Sequence, residues 1–451
     1  MRGDRPSRPL LCTDDEGLAS AGWNVLNDTP LTPRHPRAHT TRHAPAARPK
    51  PWLAVAFAVC VVGWGANQFA PMLLWYGSTL AVSTAVLQAT FGMYAIGLIP
   101  GMLAGGPLSD RYGRKVTVAP ALLVSLLATV VLMGGEHGVG WLLAGRLIAG
   151  AASGAAFSAG SAWIKELSGR PYDVAPDGAG ARRATVAMSI GFGVGPLVAG
   201  GLGQWAPAAG VLAYAPHLAL ALAALPLVWR APETRTDRTR TPALRPFPAR
   251  SVRHPRFVRV VIPLAPWVFG APTIAFAYLP GLVTTGLHGL AVAFSGLVTL
   301  LTAGAGVLVQ AWARPLDRGG PARLLIAGLS AVIVGTLVGA VTAATAAPAL
   351  VPVTAVLLGG GYGLCMVCGL LEVQRLARPD ELASATAVYQ ACTYVGFAAP
   401  FLLAAAQRHV PPPALLLGTA LLAALTLAWT AFAALRCPAP HPGRGVRPGG
   451  S

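Results

Sequence analysis

GPLSDRYGRK, residues Gly106 to Lys115, and ARPLDRGGPA, residues Ala313 to Ala322, read as two copies of one loop. Asp110, Arg111 and Gly113 align with Asp317, Arg318 and Gly320 at an offset of 317 − 110 = 207 residues. Each copy follows an apolar run, and a hydrocarbon core about 30 Å thick needs roughly 20 apolar residues to cross it as a helix. The same offset carries the start of the first apolar run, near residue 52, to the start of the seventh, near 258. A chain that repeats itself in this way, with six runs per copy, is a duplicated membrane bundle whose ligand site belongs at the midplane between the halves.

Twelve runs are legible. They cover 52–75, 86–108, 116–134, 141–163, 184–204 and 211–229, then 258–283, 291–313, 323–346, 350–371, 384–406 and 413–435. All are too long for strands, and most lack the polar face of a soluble core helix. Composition agrees: 54% of the chain is hydrophobic and 11% charged, where a soluble domain carries about 25% charged residues. The 53 Gly and 40 Pro sit largely inside the runs, where neighbouring helices can satisfy a broken backbone. The organisation expected is a disordered cytoplasmic tail at 1–50, a six-helix half at 51–229, an Arg-rich cytoplasmic linker at 230–257, a second half at 258–435 and a tail at 436–451. No cleavable signal peptide is expected ahead of the first span, whose apolar run is too long.

The net charge of +18 does not describe a nucleic-acid surface, because the basic residues fall in short segments between apolar runs. With the N-terminus placed inside, only Arg408 lies in an outer loop and Arg146 lies within a span. The other 34 − 2 = 32 Lys and Arg are then cytoplasmic, as positive loops should be. A multi-pass protein of the plasma (inner) membrane with both termini cytoplasmic is expected, monomeric and surrounded by lipid. The scattered cysteines imply no disulfide framework. Cys365 and Cys368 with Glu372 share a helix face but are too few to hold a metal, and no cofactor is expected. The outer loops are too short and poor in acid–base groups for a membrane enzyme.

GPLSDRYGRK resembles the signature loop of the major facilitator superfamily. Gly106, Asp110, Arg111, Gly113, Arg114 and Lys115 stand in the expected places, and the resemblance implies a latch between inward-open and outward-open states. In physical terms Gly106 would let two helices approach, Asp110 would cap a helix N-terminus, and the cations would hold the loop at an anionic surface. LLAGRLIAGAASGAA (Leu142 to Ala156) resembles a family motif with an intramembrane Arg. GFGVGPLVAGG (Gly191 to Gly201) resembles the antiporter motif through Gly191, Gly195, Pro196, Gly200 and Gly201. The resemblance thus implies a major facilitator fold of two six-helix halves about a pseudo-two-fold axis. It also implies an exporter of small organic or drug-like solutes coupled to a proton gradient by alternating access. An uptake carrier for a sugar, amino acid or organic acid stays open as the alternative.

A charge at mid-bilayer costs at least ~2.5–3.5 kcal/mol, which marks Arg146 as a coupling candidate. Glu372 and His217 are further coupling candidates, both read as interfacial. No Asp or Glu falls near a midplane. Polar and aromatic residues inside spans nominate a substrate cavity: Asn67 and Gln68 in span one, Gln88 and Tyr94 in span two, Trp267 and Tyr278 in span seven, and Tyr389, Gln390 and Tyr394 in span eleven. Gly359, Gly360, Gly361 and Gly363 are read as making span ten flexible. The topology predicts that a cysteine introduced near Arg240 escapes an impermeant reagent outside the cell, whereas one near Ala208 reacts. Labelling at the Arg240 site in intact cells would reverse the orientation.

Overall fold

A helix that crosses hydrocarbon satisfies its own backbone, so apolar runs of this length have one solution. The computed structural model describes residues 50–176, 178–235, 250–317, 321–378 and 381–437. Among them it is all-α, with twelve helices long and apolar enough to span a membrane. They are α1 Trp52–Thr79, α2 Thr84–Tyr112, α3 Arg114–His137, α4 Val139–Leu167, α5 Ala179–Trp205, α6 Ala209–Arg230, α7 Phe257–Leu282, α8 Ala291–Ala313, α9 Ala322–Thr345, α10 Leu350–Leu376, α11 Ser384–Ala406 and α12 Pro412–Arg436. Each expected run is found, several with an added turn beyond the apolar stretch; the helix of α8 continues to Asp317. Most of the expected tails, and 236–249 of the linker, lie outside the described residues.

The two sets of six repeat one packing scheme: α2 lies on α4, α3 on α4 and α3 on α6, and likewise α8 on α10, α9 on α10 and α9 on α12. Lipid is as apolar as leucine, so helices associate through close van der Waals approach at small residues. Gly97 and Gly101 of α2 face Leu147 O and Ala151 O of α4, while Gly150 and Gly154 of α4 face Tyr94 O and Leu98 O of α2. A Cβ at any of the four would overlap those carbonyl oxygens. Gly359 and Gly363 of α10 press in the same way on Thr302 O and Gly306 O of α8. The glycines of α10 therefore set close contact, not the flexibility expected of them; Gly360 alone of the four meets nothing within 4 Å.

One expectation for the signature loop needs correction here. Gly106 does not mediate a helix approach, since a Cβ there meets nothing within 4 Å. One residue earlier, Gly105 packs on Cα of Ala155, because the contacting face of α2 follows 97, 101 and 105. Gly106→Ala should accordingly leave the melting temperature in detergent unchanged, within about 0.5 kcal/mol. Gly154→Leu should cost about 3 kcal/mol or more by overpacking α2 against α4. Equal melting of the two variants would show that the α2–α4 contact is not close-packed.

Candidate functional site

Prolines open the middle of the bundle. A proline at position i leaves the carbonyl of i−4 without its helical donor. Pro196 in α5 so orphans Phe192 O, and Asn67 Nδ2 of α1 donates to it at 3.2 Å. Pro280 in α7 orphans Phe276 O, which Ser295 Oγ of α8 approaches at 3.4 Å. Just before Pro280 the chain runs as a π-helical turn, Ile274–Tyr278, and Gln88 Nε2 of α2 donates to Ala277 O at 2.6 Å. Helix α1 is interrupted at Gln68, three residues ahead of Pro71.

Arg146 enters at that interruption. It is fully buried; Nη1 donates to Ala66 O at 2.7 Å and Nη2 to Phe91 O at 3.4 Å. Its guanidinium lies over the rings of Tyr94 at 4.5 Å, Phe69 at 4.9 Å and Phe91 at 5.5 Å. Charge-assisted hydrogen bonds are worth roughly 1.5–3 kcal/mol each, and a desolvated cation–π contact about 2 kcal/mol. Together these offset the ~2.5–3.5 kcal/mol of placing the charge there. No carboxylate among the described residues pairs with it, and its Nε has no partner.

Beside it, a cavity of about 50 Å³ lies between the halves. Of the residues nominated from sequence, Asn67, Tyr94 and Tyr394 line it. Arg146 stands one layer behind, since Ala66 and Tyr94 form the wall in front of it. The other nominees are committed elsewhere. Gln68 is buried and donates to Thr129 Oγ1, Trp267 Nε1 donates to Thr426 Oγ1 at 3.2 Å, and Tyr389 Oη donates to Cys365 O at 3.2 Å. Tyr278 Oη donates to Gln407 Oε1 in a separate cleft at the opposite end from the Gly106–Lys115 loop, and Gln390 is half-buried away from the cavity. Sequence reading missed Phe269, Tyr362, Phe397, Ser189 and Thr302, which complete the wall. Phe269 stacks on Tyr394 at 4.7 Å and on Tyr362 at 5.6 Å. Phe397 of α11 stacks on Phe91 of α2 at 5.4 Å, an aromatic contact that crosses between the halves. Single aromatic and small polar residues in apolar helices carry no period that distinguishes a cavity wall from ordinary packing.

His217 and Glu372 are both buried within the protein. His217 Nδ1 lies 2.8 Å from Thr129 Oγ1 and Nε2 lies 3.5 Å from Ser125 Oγ, with Gly65 making room for the ring. Glu372 pairs with Arg256 through Oε2 at 2.6 Å and Oε1 at 3.0 Å, and with Arg375 at 2.9 Å. Arg256 Nη1 also donates to Ala434 O and Cys437 O, capping the last turn of α12.

The latch candidates gather at one end, here termed the basic end. Arg114 is buried and bonds Glu166 of α4 at 2.7 Å, Asp110 at 2.8 Å and Ser109 Oγ at 2.7 Å. Arg111 is exposed and Lys115 half-exposed. Gly113 sits at φ +118, a conformation that favours glycine, with Glu233 against it. The N-terminus of α3 is capped by Glu233, which accepts from Arg114 N at 3.0 Å and Lys115 N at 2.8 Å. Asp110 does not take that role, because its carboxylate is turned to Arg114 and Arg235. Glu233 went unnoticed because it lies in the linker, 119 residues from Arg114. Trp163 Nε1 fixes the same strand of linker by donating to Pro232 O, and Thr234 Oγ1 donates to Glu166. In the second half Pro321 stands where Arg114 would fall, and Arg375 supplies the cation to Asp317 at 2.5 Å. Between α4 and α5, the Arg183 guanidinium holds the Asp173 carboxyl below the usual carboxylate range.

The Major Facilitator Superfamily family model matches residues 55–401. No curated protein matches the chain in sequence. Among solved structures, the proton:xylose symporter XylE from E. coli in its inward-open conformation is 15% identical over 87% of this chain and 97% of its own, with a TM-score of 0.63. The nucleoside transporter NupG is 12% identical over 86% and 99%, with a TM-score of 0.64. The human organic anion transporter MFSD10 is 16% identical over 84% and 99%, with a TM-score of 0.60.

Replacing the linker cap tests its role. Glu233→Ala should lower the melting temperature by the equivalent of about 1–2 kcal/mol, the usual worth of an N-cap. Glu233→Gln, which keeps an acceptor oxygen, should lose less. Wild-type melting of the alanine variant would return the cap to Asp110.

Proposed function

Because the chain belongs to the Major Facilitator Superfamily, we propose that it is a secondary transporter taking up a small, uncharged organic solute by alternating access. The observation that carries this reading is the cavity wall. It joins stacked aromatic faces to Asn67, Ser189, Thr302, Tyr362 and Tyr394, which carry amide and hydroxyl groups, with no Asp, Glu, Lys or Arg in the lining. Aromatic walls bind a ring by its face, and hydroxyl and amide groups bind hydroxyls and carbonyls without demanding charge. The solutes of two structural neighbours, xylose and nucleosides, are of that chemistry.

This reading displaces export as the leading one. The expectation of export rested on Gly191, Gly195, Pro196, Gly200 and Gly201, and all of these but Gly201 have packing roles that suffice to explain them. Gly191 and Gly195 seat α5 on Cys60 O and Trp64 of α1, and Gly200 meets Gly296 of α8. Export of a lipophilic solute remains the second reading on the strength of that motif. The coupling ion we propose is a proton, with Arg146 behind the cavity wall and the buried His217 as candidate groups. The basic end is proposed to be cytoplasmic, on the asymmetry of Lys and Arg.

Uptake into proteoliposomes decides between the readings. Labelled pentoses, hexoses and nucleosides should accumulate under an inward proton gradient, and Asn67→Leu should reduce that uptake at least tenfold. Arg146→Ala should abolish the gradient dependence. Transport of lipophilic antibiotics alone, unaffected by Asn67→Leu, would install the export reading instead.

A further inference from the structure

Alternating access needs a closure at each end of the cavity that can be broken. Among the described residues, the hydrogen bonds that join the two halves lie at the end away from the signature loop. Gln204, in the last turn of α5, makes three of them. Its Nε2 donates to Gly289 O at 2.6 Å, and its Oε1 accepts from Val292 N at 3.1 Å and Ala293 N at 3.4 Å. The amide of one half therefore caps the first turn of α8, a helix of the other half. Those N–H groups belong to the first turn of α8, which has no intrahelical acceptors of its own.

The register of α5 explains why Gln204 arrives there. Pro196, Gly200 and Gln204 recur every four residues and share a helix face. Pro196 O and Gly200 meet Gly296 of α8, so the backbones touch one turn and two turns below the amide. On the other flank Gln88 of α2, nearly fully buried, donates to Ala277 O of α7 at 2.6 Å. Both glutamines also line the cleft that opens at this end.

We propose that Gln204, with Gln88 as its partner across the bundle, is the gate that holds this end closed. Opening the cavity toward this end must expose the first turn of α8 and break all three Gln204 bonds together, whereas packing within each half is untouched. Gln204 is a positioning residue: it touches no substrate but sets the balance between the two open states. The proposal concerns conformation and not the solute, so its test requires no transport substrate.

The test places a reporter cysteine, Ala303→Cys, on the cavity wall of a variant whose native cysteines are replaced. An impermeant maleimide is applied to right-side-out and to inverted vesicles. With Gln204 intact, labelling should proceed from the basic end. Gln204→Ala should raise labelling from the opposite end about tenfold, the change that ~1.4 kcal/mol makes in an equilibrium, and lower it from the basic end. Gln204→Glu, which keeps the acceptor for Val292 N and Ala293 N but loses the donor, should fall between. Gln88→Ala should shift labelling in the same direction. Unchanged labelling from both ends would overturn the proposal. So would a rise from both ends together, since that reports loosened folding in place of a shifted gate.

Discussion

Every polar backbone group in the hydrocarbon layer has to find its partner inside the protein. In this chain the demand is sharpest at prolines, each of which strips a donor from a carbonyl four residues earlier. Side chains from other helices supply the missing donors. Asn67 serves Phe192 O, Ser295 serves Phe276 O, and Arg146 serves Ala66 O where α1 is interrupted. Those repairs are contacts between helices, so they also fix where the helices cross. The cavity opens among the same breaks, which is why Asn67 and Phe276 are both part of its wall.

Charge obeys the same economy of partners. Carboxylates and cations gather at the basic end in two networks, one around Arg114 and Glu166 and one around Glu372 and Arg256. Each lets buried ionic groups satisfy one another while tying helix ends together. The first is completed by Glu233, whose carboxylate caps α3 and lies against Gly113. Arg146 differs, because carbonyls and aromatic faces surround it in place of an acid. A cation held that way has no fixed counter-ion among the described residues.

Close glycine packing serves inside each half and, where α5 meets α8, between the halves as well. Within halves, glycines press on carbonyl oxygens of the neighbouring helix, as Gly150 does on Tyr94 O, leaving no room for sliding. Between halves, the hydrogen bonds rest on amides at one end and the aromatic rings meet nearer the centre. Rigid halves joined by a few separable contacts are the mechanical requirement for rocking about a central site.

The sequence by itself determined the number of spans, the duplication and the family, because span length, apolar content and the Gly106–Lys115 loop are local properties of the chain. It also placed Arg146 within a span. It misplaced Gly106 and Asp110, since each depends on what comes to face it from a distant segment. Glu233 caps a helix that begins 119 residues earlier, and Arg256 reaches Glu372 across 116 residues. The cavity wall was legible only for Asn67, Tyr94 and Tyr394. Phe269, Tyr362 and Phe397 are indistinguishable in sequence from packing aromatics, and Gln68 and Tyr389 look like cavity residues until their partners appear. Tertiary structure decided these roles because a side chain in a bundle is assigned by helix rotation and proximity, and neither is encoded in the hydropathy that marks the spans.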